Sequence, residues 1–421
     1  VPTLASWCRA AQRSAGRHLL TLALRNLARH KARTAITLAA AVLGVAGLIV
    51  SAGFVRDIIR QLGEAVIHSR TGHLEVNRAG YYAHGTRSPE RYIIESPEDL
   101  RRRIAGVAGV TDVMGRLAFS GLANNSHTDL AIIGEGIEPV REARLGTYLH
   151  ISAGRALEDR DRFGALLGQG VATTLALKPG DRFTLVANTA DGALNTLDLE
   201  VVGVFQTFAK DFDARAVRIT LGAAQELLGT RGVNTLVVTL GDTATTDASA
   251  RTLAAALGAR DYEVKTWVQL SDFYASAADL YDRQFGVLRL VVLLMVLLAV
   301  ANSVNMSIYE RVAEFGTMRA LGDRARRIFA LVVMESVSLG VIGALLGAAA
   351  GLVLAAGISA VGIPMPPPPN ADLGYVAHID VAPADVLGAM LVGLVATVLA
   401  SLIPARMASR IPIVDALREA V

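Results

Sequence analysis

Long charge-free stretches alternate with charged ones along this chain. Residues 34–55 carry no charge and are bracketed by Arg33 and Arg56. A helix of that length covers roughly 33 Å at about 1.5 Å per residue, enough for a hydrocarbon core of about 30 Å. Residues 290–309 form a second such run, 328–357 a third that is broken only by Glu335, and 386–405 a fourth that is closed by Arg406. Each predicts a membrane-spanning helix. The stretch between the first two has a different texture. Apolar and polar residues alternate over 183–187, 199–205 and 236–240, which predicts strands. Residues 97–104, 223–228 and 248–257 read as short helices, and Lys178-Pro179-Gly180-Asp181 as a turn. The expected fold class is an α-helical membrane protein with four transmembrane helices and an α+β domain inserted between the first and second.

The corresponding division is an amphipathic segment at 1–33 and a span at 34–56, then the inserted domain at 57–284. A second span follows at 285–309, a connecting segment at 310–327 and a third span at 328–358. A short loop at 359–385, a fourth span at 386–405 and a tail at 406–421 complete it. Both ends of the inserted domain continue a membrane helix. Ile58, Leu62, Ala65 and Val66 repeat at helical spacing after the first span. Leu270, Phe273, Ala277, Leu280, Gln284 and Leu288 do the same before the second. Both predict amphipathic stalks.

Flanking cations orient the spans. Arg25, Arg29, Lys31 and Arg33 precede the first, and Arg311, Arg319, Arg324, Arg326 and Arg327 lie between the second and third. Arg406, Arg410 and Arg418 follow the fourth, whereas the loop at 359–385 holds Asp372, Asp380 and Asp385 and no Lys or Arg. Both termini and the 310–327 segment are therefore expected in the cytoplasm, with the inserted domain outside. The apolar fraction of 52%, the charged fraction of 19% and the net charge of +3 agree with a membrane protein. The arginines sit beside apolar runs, which argues against nucleic acid as a partner. A single cysteine, Cys8, excludes a disulfide within the chain. The opening residues do not read as a cleavable signal peptide.

The third span carries Gly343, Gly347 and Gly351 at spacing four, a flat stripe for close helix packing within or between subunits. Glu335 lies about one and a half turns into that span, where an unpaired carboxylate is costly. An arginine of the preceding loop is its expected partner. No G-x-x-x-x-G-K-[ST] phosphate loop, H-E-x-x-H or Cys/His metal spacing, or G-x-S-x-G nucleophile motif occurs. No catalytic or metal-ligating residue is expected, and the chain reads as a binding and mechanical protein.

Two segments carry a more specific signal. One is Glu310-Arg311-Val312-Ala313-Glu314-Phe315-Gly316-Thr317-Met318-Arg319-Ala320-Leu321-Gly322, and the other is Ile403-Pro404-Ala405-Arg406-Met407-Ala408-Ser409-Arg410-Ile411-Pro412 running on to Arg418. With Leu22-Ala23-Leu24-Arg25-Asn26-Leu27 they resemble the FtsX/MacB/LolC-LolE superfamily of bacterial ABC-transporter permeases. Gly134-Glu135-Gly136-Ile137, Leu167-Gly168-Gln169-Gly170 and Val201-Val202-Gly203-Val204-Phe205 are similar to its periplasmic core. Thr71-Gly72-His73-Leu74-Glu75-Val76 and Phe212-Asp213 lean toward the lipoprotein-releasing members.

The resemblance implies a permease of the bacterial inner membrane with its large domain in the periplasm. It would pair with a second copy or a paralogue on two copies of an ATPase that holds ATP and Mg, with no cofactor in this chain. The 310–327 segment would be the coupling helix. Its contact residues would be Glu314, Phe315, Gly316, Met318, Arg319, Ala320, Leu321 and Gly322. In that expectation Glu314 and Arg319 supply charge, and Phe315, Met318 and Leu321 the apolar anchor. An amphiphile or lipoprotein acyl chain would need an apolar cleft, for which Phe54, Ile58, Phe285 and Leu288 are the candidates. A periplasmic adaptor or carrier is a further implied partner. Drug or peptide efflux, and signalling to a cell-wall hydrolase, stay open beside lipoprotein transport.

Overall fold

The computed structural model describes residues 31–85, 89–146, 148–189, 191–207, 209–258, 260–366, 374–410 and 412. Cys8, the 22–29 stretch, Asp372, Ile411 and the tail beyond Pro412 lie outside the described residues. The chain forms two compact units. One comprises residues up to Ile59, Asp279–Ile363 and Val376 onward, and the other Arg60–Ala278 with Pro364–Tyr375.

Among the described residues, four helices are long and apolar enough to cross a membrane. They are Lys31–Val66, Asp272–Glu310, Ala325–Val361 and Pro383–Ala408. The first two extend well past the apolar runs at 34–56 and 285–309. The flanking Arg, Gln, Glu, Ala and Leu are themselves good helix formers, so hydrogen bonding does not stop where hydropathy falls.

In the membrane unit the first span helix meets each of the other three at a glycine. A Cβ at Gly343 would lie 2.8 Å from the Ala41 methyl, one at Gly347 2.7 Å from Val45 Cβ, and one at Gly351 3.2 Å from Ala46 Cα. The glycine stripe therefore faces the first span helix of the same chain. Val45 also fills the space over Gly393 of the fourth helix, and Val296 of the second helix packs onto Gly44. Without a hydrophobic driving force inside lipid, this close van der Waals contact is what holds helices together. Polar contacts mark the two ends of the bundle. At one end Arg56 bonds Asp385 at 2.9 Å, and the buried Asp57 carboxylate accepts the His378 N–H at 2.7 Å. At the other, Thr37 and Ser303 share a hydrogen bond.

The stripe from Leu270 to Leu288 does not become a covered face. Within Asp272–Glu310 the buried residues are Val296, Val300, Val304 and Ile308, while Leu280 and Leu288 are exposed.

Among the described residues, the other unit is built on a sheet of ten strands. They are β1 (Leu74–Arg78), β2 (Val110–Asn124), β3 (Asp129–Ile137), β4 (His150–Gly154), β5 (Gly164–Gly168), β6 (Arg182–Asn188), β7 (Leu194–Gln206), β8 (Ala216–Thr220), β9 (Thr235–Leu240) and β10 (Tyr262–Thr266). β2 is shared between two layers. Its first half pairs with β9, which leads through β1 to β10. Its second half pairs with β3 and β6, and the pairings β3–β8, β8–β5, β5–β7 and β7–β6 close a ring. Phe119, Leu167, Leu185 and Ile219 fill that ring. Helices Pro97–Ala105 and Thr246–Leu257 cover the β9–β1 layer through Leu100, Ile104, Leu253 and Leu257. The alternation in 183–187 appears as buried Phe183, Leu185 and Ala187 on β6. The result is an α+β domain between the first and second span helices, as the pattern predicts.

Candidate coupling site

The segment between the second and third span helices is organised by one arginine. Arg311 leaves helical geometry at φ −113° and ψ 12°, ending one helix and opening the short helix Val312–Ala320. Its side chain is buried. Nε donates to Glu314 Oε2 at 3.0 Å, Nη1 donates to Glu335 Oε2 at 2.9 Å, and the guanidinium lies 5.1 Å from the Phe315 ring centroid. A buried cation is tolerable only when paired in this way. The same bond neutralises Glu335 inside the third span, the pairing expected from the sequence.

Val312–Ala320 stops in a Schellman motif. Gly322 sits at φ +102°, its N–H reaching Arg319 O and the Asp323 N–H reaching Met318 O, both at 3.0 Å. That conformation favours glycine, which explains the residue at this position. Asp323 then accepts from Arg327 at 2.6 Å at the start of the third span helix.

The faces of the short helix correct part of the docking expectation. Phe315 and Gly316 are buried, and Phe315 packs with Ile308, Ile328, Leu331 and Ala405, with Met318 against the same cluster. Phe315 is thus a core residue of this chain and is closed to an outside partner. Arg319 is half-buried, while Glu314, Thr317, Ala320, Leu321 and Gly322 are exposed, Leu321 at 85%. The outward apolar contact is Leu321.

The four cleft candidates are not equivalent. The Phe54 and Phe285 rings meet at 6.4 Å between centroids, joining the first and second span helices. Ile58 is buried and therefore closed to a cleft, whereas Leu288 is exposed.

The α+β domain holds a second cluster that sequence reasoning passed over. The first span helix runs into a π-helical turn, Ile67–Thr71, whose last carbonyls have no partner within the turn. Arg116 Nη1 donates to Arg70 O, and Arg218 Nη2 donates to Ser69 O at 3.2 Å. Both arginines are buried and paired, Arg116 with both oxygens of Glu142 and Arg218 with Glu135 at 2.9 Å. Arg70 stacks over Phe212 at 4.6 Å, and Arg218 lies 5.3 Å from the Phe205 ring. Burial alone would raise the Glu135 carboxyl. Arg218, Arg116 and Arg70 together hold it below the usual carboxylate range. Glu75 has no such pairing, and burial raises it while the Tyr82 hydroxyl donates to it at 2.5 Å. The segments Thr71–Val76 and Phe212-Asp213 are thereby brought to one end of the first helix.

Residues 34–256, more than half of the chain, match the family described as the MacB-like periplasmic core domain, and residues 286–413 match the FtsX-like permease C-terminal family. The chain belongs to the FtsX/MacB family of ABC-transporter permeases. This permease is 24% identical over 355 residues to an uncharacterized ABC transporter permease of Methanocaldococcus jannaschii, covering 81% of this chain and 84% of the relative. It is 22% identical to the lipoprotein-releasing system transmembrane protein LolC of Neisseria meningitidis, over 76% of each chain. It is 23% identical to the macrolide export ATP-binding/permease protein MacB of an Azoarcus strain, covering 80% of this chain and 52% of that one. The permease thus spans about half the length of this MacB relative. The periplasmic region of MacB from Actinobacillus actinomycetemcomitans covers 49% of the permease at 14% identity, with a TM-score of 0.36.

Within the FtsX-like part of the permease, Arg311 is the residue that sequence reasoning undervalued. It was legible only as one orienting cation among several. The signal available was its position: it is the cation nearest the end of the second span, and Glu335 needed a partner. Arg116 and Arg218 lie inside strands and carried no local signal.

Proposed function

We propose that this permease couples ATP hydrolysis by a partner ATPase to the removal of a lipoprotein, or another amphiphile, from the outer leaflet of the bacterial inner membrane. The observation that carries the coupling is the short helix Val312–Ala320. It is braced from within by Arg311 and presents Glu314, Thr317, Ala320 and Leu321 outward. An exposed leucine at the end of a rigid helix whose outer face carries Glu314 and Thr317 suits a helix-in-groove contact. ATP and Mg would reside on the partner. The clusters of Lys and Arg support cytoplasmic termini and a cytoplasmic 310–327 segment, with the α+β domain in the periplasm. A second permease subunit, identical or paralogous, would complete a two-fold assembly. The LolC likeness over three quarters of both chains supports the lipoprotein reading. The match to the MacB-like core supports a second one, efflux with an adaptor protein.

The experiment is purification of the permease from its native membrane in mild detergent, identification of what accompanies it, and reconstitution with a lipid-anchored protein. Capture of an ATPase and ATP-dependent release of the anchored protein from proteoliposomes are the expected results. Capture without release, with an adaptor present instead, overturns the lipoprotein reading in favour of efflux. Absence of any ATPase overturns the coupling reading itself.

A further inference from the structure

His68 lies in the π-helical turn that ends the first span helix, and both of its ring nitrogens face acceptors. Nδ1 is 3.0 Å from Leu145 O, the last carbonyl of helix Pro139–Leu145, and Nε2 is 3.2 Å from Glu64 Oε2. A carbonyl oxygen only accepts, and a neutral imidazole carries a single N–H. Both contacts are made together only when the Glu64–His68 pair holds one additional proton. That proton makes either an imidazolium beside a carboxylate or a carboxylic acid donating to a neutral ring.

Glu64 Oε1 accepts from the Thr243 hydroxyl at 3.0 Å, and the Thr243 oxygen accepts from His73 Nε2 at 3.1 Å. His73 Nδ1 accepts from the Leu240 N–H at 3.2 Å, so His73 is a neutral ring with its proton on Nε2. Burial, with His68 nearby, lowers the His73 pKa against the pull of Glu64 and Asp242. Tyr148 stacks on His68 at 6.1 Å, and His73 meets it edge-on at 6.1 Å. From helix Pro139–Leu145, Glu142 is bound by Arg116, Arg141 is bound to Asp112 and Glu138, and Arg144 is exposed. Helix Trp267–Leu270, which packs on the same turn, contributes no titratable side chain.

We propose that Glu64 and His68 form a proton-operated latch that fastens the end of the first span helix to Leu145 and Tyr148 of the α+β domain. The side chains are 26% and 28% exposed, so protons reach them from water. When the shared proton leaves, an imidazole lone pair faces either the Glu64 carboxylate or the Leu145 carbonyl, and one contact is lost. The latch is therefore complete when the pair holds the shared proton and opens as rising pH removes it. A protonated ring beside the last carbonyl of a helix is further favoured by the helix dipole. The latch does not depend on which substrate or ATPase the permease serves.

Trp267 is a reporter already in place. A Cβ at Gly63, next to Glu64, would lie 2.7 Å from its indole ring. The test uses the full chain in detergent carrying Trp7→Phe, so that Trp267 is the one remaining tryptophan. Its emission is followed from about pH 5 to 8. A single sigmoidal shift in emission, lost in His68→Gln and in Glu64→Gln, is the expected result. A flat profile in the parent, or an unchanged sigmoid in both variants, overturns the proposal. If the variants fail to fold, 15N-histidine spectra of the parent decide. His68 must carry protons on both nitrogens, or a strong hydrogen bond from Glu64, at the acid end and lose that state at the alkaline end. A His68 spectrum invariant over the same range overturns the latch.

Discussion

Arg311 donates to Glu335 at 2.9 Å, tying the start of the short helix Val312–Ala320 to the third span helix. The two residues are 24 positions apart, and the pair is what permits Arg311 to be buried and Glu335 to sit half-buried in an apolar run. Removing one partner leaves the other charge stranded. Arg311→Leu should therefore cost about 3–5 kcal/mol, whereas the double change Arg311→Leu with Glu335→Leu should recover most of it. Thermal unfolding in detergent measures both. Equal losses in the single and double variants would show that the pair is not coupled.

Phe315 and Leu321 should separate folding from docking. Phe315→Ala opens a cavity in the core of this chain, worth about 3–5 kcal/mol. Leu321→Asp changes an exposed side chain and should alter stability by less than about 0.5 kcal/mol. The same variant should lose binding or stimulation of the partner ATPase, read by pull-down and ATP turnover. Full stimulation with Leu321→Asp would place the contact elsewhere.

Gly347→Leu forces bulk against Val45 of the first span helix, where even a Cβ would sit 2.7 Å from a side-chain carbon. Over-packing of this kind costs about 1–3 kcal/mol. Val45→Ala in the same chain should restore part of the loss by making room. The melting temperatures of the two variants provide the check, and no rescue would mean that the backbone rather than Val45 sets the limit.

Glu135 should contribute to acid stability. Its carboxyl is held below the usual range by Arg218, Arg116 and Arg70 despite its burial. A depressed carboxylate adds stability that is fully present above its ordinary titration range and is lost as pH falls through the folded value. Acid unfolding followed by far-UV circular dichroism should therefore show an acid limb that flattens in Glu135→Gln. An identical acid limb in parent and variant would remove Glu135 from the account.

The charges of the loops give an expected sidedness. On a Cys8→Ser background, Asp372→Cys should react with a membrane-impermeant thiol reagent applied to intact spheroplasts, and Arg326→Cys should react only after lysis. The opposite pattern would invert the orientation drawn from the flanking cations.

The sequence by itself determined the four spans, the inserted α+β domain and the short connecting helix. Those depend on local quantities: run length against bilayer thickness, the two-residue alternation of β6, the flanking arginines, and Gly322 as a helix stop. It also showed that Glu335 required a cation, since a carboxylate within an apolar run is costly wherever the chain goes. Only the tertiary structure decided which cation. Arg311 turns inward because the chain leaves helical geometry there, while Arg324, Arg326 and Arg327 remain exposed. It alone decided that Phe315 belongs to the core and Leu321 to the surface. The heptapeptide from Phe315 to Leu321 is apolar at both ends, and a helix of nine residues is too short for periodicity to say which end faces in. The Arg116–Arg218 clamp, and what the Glu64–His68 pair fastens to, were illegible for a related reason. Their partners come from strands, turns and a helix end up to 179 positions apart, and such distances are closed by the folding of the sheet rather than by any local pattern.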